Sequence, residues 1–362
     1  MMGAGMTRCL DDLEARIDEA QEEAYRAQWV AFLEGGLTEG FFSPPSRRPA
    51  PAKAAWPEIH INDALDDIDL MVWRELAAVS RILERGGNEA LNVRSNYGVG
   101  IMASQLGCRI VQMDRSQGDL PTSLPLGAGA IAGVLDAGVP SPRAGLGAKV
   151  LDTGERFLEV FEAYPKIGRW VNLYHPDLQG PIDNLELVWG SEFFYAVYDD
   201  PALVGDFMQL MADHYAAFIG AWFAMAPPGG AYCCHWGKMF KGRLMIRNDS
   251  LMNLSPATYR DLVFPHDQRL LRQFGGGAIH YCGRGDHFIE IMSGTEGLTC
   301  IQLSQPHLND METIFANTVD KGLVLMDLTT DAARAAGARC RGRVQAPRGG
   351  VLCPTGPTAK DR

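Results

Sequence analysis

The sequence has no long basic run. Its 33 lysines and arginines are outnumbered by 44 acidic residues, giving a formal net charge of -11 and a pI near 5.2, and the pair Arg47-Arg48 is too short to offset that balance. Binding a phosphate backbone needs the opposite sign of charge, so a nucleic-acid partner is not expected. Apolar stretches of the ~20 residues needed to span a bilayer are also missing, which argues against membrane insertion. The eight cysteines show no framework spacing, and no basic-then-apolar leader opens the chain. The expected state is therefore reduced thiols in the cytoplasm. No GxGxxG or P-loop suggests a dinucleotide or ATP site.

What is present is 362 residues, 46% of them hydrophobic, enough for one large α/β barrel or two medium domains. The stretch with the most chemistry is Gly275-Gly-Gly-Ala-Ile-His280-Tyr-Cys282-Gly-Arg-Gly-Asp-His287. It reads as a buried strand that runs into a flexible turn. Residues two apart on a strand project to the same side, so His280 and Cys282 face one site while Tyr281 points away. Imidazole nitrogen and thiolate sulfur are donors that zinc prefers. The glycines before the strand let the chain leave a helix without a Cβ penalty. Functional residues of α/β folds gather at the C-terminal ends of strands, which is where this pair falls.

The remaining pattern alternates. Helical spacing runs from Arg8 to about Leu33, as a cap or a homodimer contact, and again from Asp63 to Arg85. Between them, Phe41 to Pro57 is rich in Pro and Ala and reads as a solvated connector. Asp199-Asp200-Pro201 starts a long apolar helix with Tyr215, Phe218, Ile219 and Trp222 on its buried face. Strands are expected at Ala90 to Arg94, Leu106 to Met113, Trp170 to Tyr174, Ala231 to Trp236, Arg243 to Asp249, Leu298 to Leu303, Leu323 to Leu328 and Gly342 to Gln345. Alternating strand and helix implies a parallel sheet, and the count favours a closed barrel over an open sheet. The expected organisation is residues 1–57 as N-terminal helix and connector, and residues 58–362 as an α/β barrel.

Several motifs in this order, Pro176-Asp-Leu-Gln-Gly-Pro-Ile-Asp183, Ala196-Val-Tyr-Asp-Asp-Pro201, Asn248-Asp-Ser, Leu254-Ser-Pro-Ala-Thr-Tyr259, Val263-Phe-Pro265 and Ile279-His-Tyr-Cys-Gly283, resemble the uroporphyrinogen decarboxylase superfamily. The resemblance covers roughly Ala90 to Val344. It implies a TIM-like (β/α)8 barrel with additional N-terminal helices. It also implies one of two chemistries, decarboxylation of a tetrapyrrole or zinc-dependent methyl transfer from a methylated corrinoid to a thiol. Decarboxylases of the family carry an N-terminal Arg-rich motif, which has no counterpart before Trp56. They also carry an Asp after the first strand, where this chain has Asn96, and a tyrosine at about the place of Leu187.

The methyltransferase branch carries a His-x-Cys pair of zinc ligands on a mid-barrel strand, and His280 and Cys282 match both. A cysteine near the last strand completes its set. Here Cys353 is favoured, with Cys340, Asp249 or the pair Cys233 and His235 as the other candidates. In this reading Asp249 completes the zinc shell or takes the proton of the acceptor thiol. Arg284 and the turn amides of Gly283, Gly285 and Asp286 hold an anionic end of the acceptor or cofactor, and His287 has a structural role. The implied partners are a small-molecule substrate and a corrinoid protein. The alternatives are a metal-free decarboxylase using Asp249 and His280, and a non-catalytic corrinoid- or porphyrin-binding barrel.

Overall fold

The computed structural model describes residues 4–36, 41–328 and 350–352. The chain divides into two compact units, one formed by Met1–Ala24, Ser46–Gly230 and Cys234–Met239, the other by Tyr25–Pro45, Ala231–Cys233 and Phe240–Arg362. The boundary expected at residue 57 lies inside the first unit.

The N-terminal helical pattern forms two helices, Ala4–Arg16 in the first unit and Glu19–Leu33, which the unit boundary at Tyr25 divides. The break comes at Asp18, whose carboxylate accepts from Gln21 N–H at 3.2 Å and so starts a new helix. The pattern from Asp63 to Arg85 divides in the same way. Asp67 ends Ile61–Asp66 and caps Ile68–Arg85, accepting from Leu70 N–H, and Gly86 closes the second helix at φ 68°. Met6, Leu10 and Leu13 pack with Val72, Leu76, Val79 and Leu83, and with Phe157 and Val160 of the helix Gly147–Ala163, all at 2% exposure or less. Each such side chain contributes about 1.5–3 kcal/mol of burial. This core covers the short parallel pair Asn92–Val93 and Asn172–Leu173.

The connector is not a solvated linker. Arg47 is 4% exposed and forms a fork on Glu22, Nε to Oε1 at 2.5 Å and Nη2 to Oε2 at 2.8 Å. It also donates to the carbonyls of Gly87 and Glu89. A buried guanidinium needs this many acceptors to offset its lost hydration. The expected strand from Leu106 to Met113 shortens to Arg109–Val111, antiparallel to Thr122–Leu124. The long helix is Pro201–Met225, with Asp200 accepting from Leu203 N–H at 3.1 Å and Pro201 in its first turn. Among the described residues no helix is long and apolar enough to cross a membrane.

The second unit is built on a six-stranded parallel sheet. Its order is Phe41–Phe42, Gly350–Leu352, Val324–Leu328, Leu298–Leu303, Gly277–Tyr281, Leu244–Arg247. The alternation of strand and helix in the second half of the sequence thus gives parallel pairing, as a βαβ pattern must. Gly277–Tyr281 and Leu244–Arg247 are buried at every position, as strands covered on both faces are. At the opposite edge Phe42 stacks on Phe32 (4.5 Å, 9° between ring planes) and meets Trp29 edge-on at 5.0 Å. The strand expected at Gly342 to Gln345 lies outside the described residues.

Candidate metal centre

The helix Phe264–Phe274 ends on Gly275 at φ 87°, and Gly276 and Gly277 follow at φ 79° and 154°. A Cβ on Gly277 would fall on the backbone of Leu244. Glycine there is what lets the strand Gly277–Tyr281 lie directly beside Leu244–Arg247. The resulting register places His280 opposite Arg247 on one side and opposite Gln302 on the other. Paired residues of adjacent parallel strands share a face, so Arg247, His280 and Gln302 form one polar row. Tyr281 turns to the other face and packs edge-on against Phe288 at 5.5 Å.

At the ends of these two strands three donors converge. His280 Nε2 is 3.2 Å from Asp249 Oδ1 and 3.5 Å from Cys282 Sγ, and one ligand atom from each of the three residues lies within 4.8 Å of the others. A tetrahedral zinc shell with bonds of ~2.0–2.3 Å spaces its donors about 3.3–3.8 Å apart, so the two separations from His280 Nε2 already stand near those a metal would impose. The site is sheltered without being sealed, with the His280 side chain 6% and the Asp249 side chain 35% exposed. Burial pushes the Asp249 carboxyl upward. Hydrogen bonds with His280 and Cys282 and the charge of Arg247 outweigh it and hold the carboxyl below its ordinary value. The donor set is therefore an imidazole, a thiol and an ionised carboxylate, and the three could hold a metal ion.

Asp249 arrives there because it opens the 3-10 turn Asp249–Asn253 immediately after Asn248, whose backbone N–H donates to His280 C=O at 2.9 Å. Among the described residues no other group of three His, Cys, Asp or Glu side chains stands this close. Cys233 and His235 do not enter it. They fall in different units, and His235 packs in the first unit against Tyr174 at 4.4 Å and His175 at 4.2 Å. Cys340 and Cys353 lie outside the described residues.

The turn after Cys282 is braced from within the second unit. Gly283 N–H donates to Gln305 Oε1, and the amides of Gly285 and Asp286 share Asn309 Oδ1 at 2.7 and 3.1 Å. Asn309 returns a bond from Nδ2 to Gly283 C=O at 2.9 Å. The three amides expected to cradle an anion are thus engaged by side chains of the next loop. Arg284 is likewise occupied, its Nε donating to Asp286 Oδ1 at 2.8 Å. His287 Nε2 donates to Leu254 C=O at 3.1 Å, a structural contact as expected. Gln305 and Asn309 were missed in the sequence because they act across some 22 to 26 positions with no motif to mark them. Another unmarked pair extends the polar row, where Gln302 Nε2 donates to Asp327, a non-glycine residue at φ 66°.

No protein-family profile matches the chain, and no curated protein does. Among solved structures the chain is similar to a methyltransferase from Methanosarcina mazei, with a TM-score of 0.57 and 16% identity over 92% of this chain and 94% of that one. At that identity the likeness speaks for the fold.

Proposed function

We propose that the chain is a zinc-dependent methyltransferase of the uroporphyrinogen decarboxylase superfamily that moves a methyl group between a methylated corrinoid and a thiol acceptor. The observation that carries this reading is the convergence of His280 Nε2, Cys282 Sγ and Asp249 Oδ1. The similar solved structure, a methyltransferase from Methanosarcina mazei, supports it at the level of fold. The six-stranded parallel sheet of the second unit agrees with an α/β fold of this kind.

Zinc bound here would supply Lewis acidity, lowering the pKa of an acceptor thiol so that its thiolate is available near neutral pH. His280 and Cys282 would hold it. Asp249, kept ionised, either fills a coordination position or takes the thiol proton as it leaves. The strand Gly350–Leu352 lies beside Val324–Leu328 with Leu328 opposite Leu352, and Cys353 follows in the sequence as the third protein ligand we assign, after His280 and Cys282. The braced turn from Gly283 to Asp286 keeps Cys282 in place, and Arg284, held at Nε by Asp286, would meet an anionic acceptor through its Nη groups.

The test is metal analysis joined to turnover. The purified chain is expected to carry about one zinc, to lose it in Cys282→Ser, and to demethylate methylcobalamin in the presence of a small alkanethiol. Chain that takes up no zinc at micromolar concentration, or that decarboxylates uroporphyrinogen instead, overturns the proposal.

A further inference from the structure

Beneath the metal centre lies a pair that the chemistry above does not use. Asn248, between the strand Leu244–Arg247 and Asp249, and Asp267, on the helix Phe264–Phe274, are both 0% exposed. Asp267 shares the buried face of its helix with Leu270 and Leu271, where the helical period calls for an apolar side chain. It receives one hydrogen bond, from Asn248 Nδ2 to Oδ2 at 2.7 Å. The other oxygen of each group, Asp267 Oδ1 and Asn248 Oδ1, is buried without a hydrogen-bond partner.

An ionised Asp267 would place a full negative charge in this interior with one neutral donor to stabilise it, and would leave two acceptors unsatisfied. Turning the Asn248 amide over does not help, since it would set oxygen against oxygen. A proton on Asp267 Oδ1 would remove the charge and offer a donor to the orphaned Asn248 Oδ1 on the group it already pairs with.

We propose that Asp267 is a neutral carboxylic acid that donates its proton to Asn248 Oδ1, closing an acid–amide pair that positions Asp249 and His280 to receive a metal. The connection to the centre is short and covalent or hydrogen-bonded at each step. The pair fixes the Asn248 side chain on the helix, the Asn248 N–H holds His280 C=O at 2.9 Å, and the next residue sets its carboxylate 3.2 Å from His280 Nε2. Asp267 is therefore a positioning residue, and this consequence rests on the metal reading of the centre. Burial lifts its pKa to about 7, with the Asn248 bond opposing. A titratable side chain that faces it is Tyr259, itself held neutral by burial. Because the folded-state pKa is raised, the pair is intact at low pH and opens as pH rises through about 7. The centre is thus expected to loosen over the range in which its own ligands gain affinity by deprotonation.

The experiment uses the full chain and the variants Asp267→Asn and Asp267→Ala. Asparagine keeps the shape, stays neutral at every pH and can close an amide–amide pair, whereas alanine leaves Asn248 unpaired. Infrared spectra at pH 6 should show a protonated carboxyl C=O band in the parent that is absent from both variants. Zinc affinity, measured by chelator competition from pH 6 to 8.5, should match the parent in Asp267→Asn at pH 6 and exceed it progressively above pH 7. In Asp267→Ala it should fall about 10- to 100-fold, the usual effect of losing an outer-shell support. Should the alanine variant fail to fold, the parent and the asparagine variant alone decide. Identical carboxyl bands in those two mean that Asp267 is ionised, and the inference fails. A ratio of their zinc affinities that does not change with pH overturns the coupling to the centre. A parent chain that takes no zinc removes the metal reading instead, and the infrared band still decides the state of Asp267.

Discussion

His214 offers a quantitative check on the first unit. It is 0% exposed on the helix Pro201–Met225, and its Nε2 lies 2.8 Å from Gln105 Oε1. Gln105 uses its Nε2 to donate to Pro142 C=O at 2.7 Å, so its oxygen can only accept. His214 therefore carries its proton on Nε2 and is neutral, with Nδ1 buried and unprotonated. Burial lowers its pKa from 6.5 to about 4. A depressed folded-state pKa contributes stability that is fully present above the unfolded value and is lost as pH falls through the folded one. The window here is therefore pH 6.5 down to about 4. At about 1.4 kcal/mol per pKa unit, the histidine's share of the loss is about 3 kcal/mol. The perturbation is His214→Gln, whose side-chain amide can still donate to Gln105 and cannot titrate. Denaturant unfolding of both proteins at pH 7, 5.5 and 4 should show the parent losing about 3 kcal/mol more than the variant. Stability profiles that stay parallel across this range would refute the buried, neutral assignment.

Three further outcomes follow from close contacts. Gly277→Ala should cost more than about 4 kcal/mol and abolish the zinc uptake proposed above, measured by thermal melting and metal analysis, because the new Cβ collides with the Leu244 backbone at the start of the His280 strand. Gly283→Ala should cost about 1–2 kcal/mol of left-handed strain at φ 77° and press on Met252 Sδ at 2.6 Å. Adding Met252→Ala should recover the contact part in the same melting assay but not the strain. Arg47→Met should cost about 3–5 kcal/mol in denaturant unfolding by leaving Glu22 buried and unpaired, while the double variant with Glu22→Leu should recover most of it.

What the sequence revealed followed short-range rules. Asp200-Pro201 marks a helix start because cap and fixed φ act on adjacent residues, and the glycines before the His280 strand mark a sharp entry for the same reason. The pairing of His280 with Cys282 was legible because a strand has a period of two. Asp249 could be nominated because it sits at a strand end. Its distance from His280 depends on the register between two strands, and that register on Gly277, which no local pattern ranks above the glycines beside it. Arg47 in the connector looked solvated because Glu22, its partner, lies 25 positions away. The amides of Gly283, Gly285 and Asp286 looked free to bind an anion because the side chains that occupy them come from the next loop. Asp267 is the extreme case. On periodicity a carboxylate on a buried helical face is an anomaly, and only the orphaned oxygens of Asp267 and Asn248 show it to be half of a pair. Local composition reports which donors a strand can carry. Which of them remain available to a metal or substrate is decided by partners distant in sequence, so the group that could hold a metal is His280, Cys282 and Asp249, while the amides of the loop that follows are taken by Gln305 and Asn309.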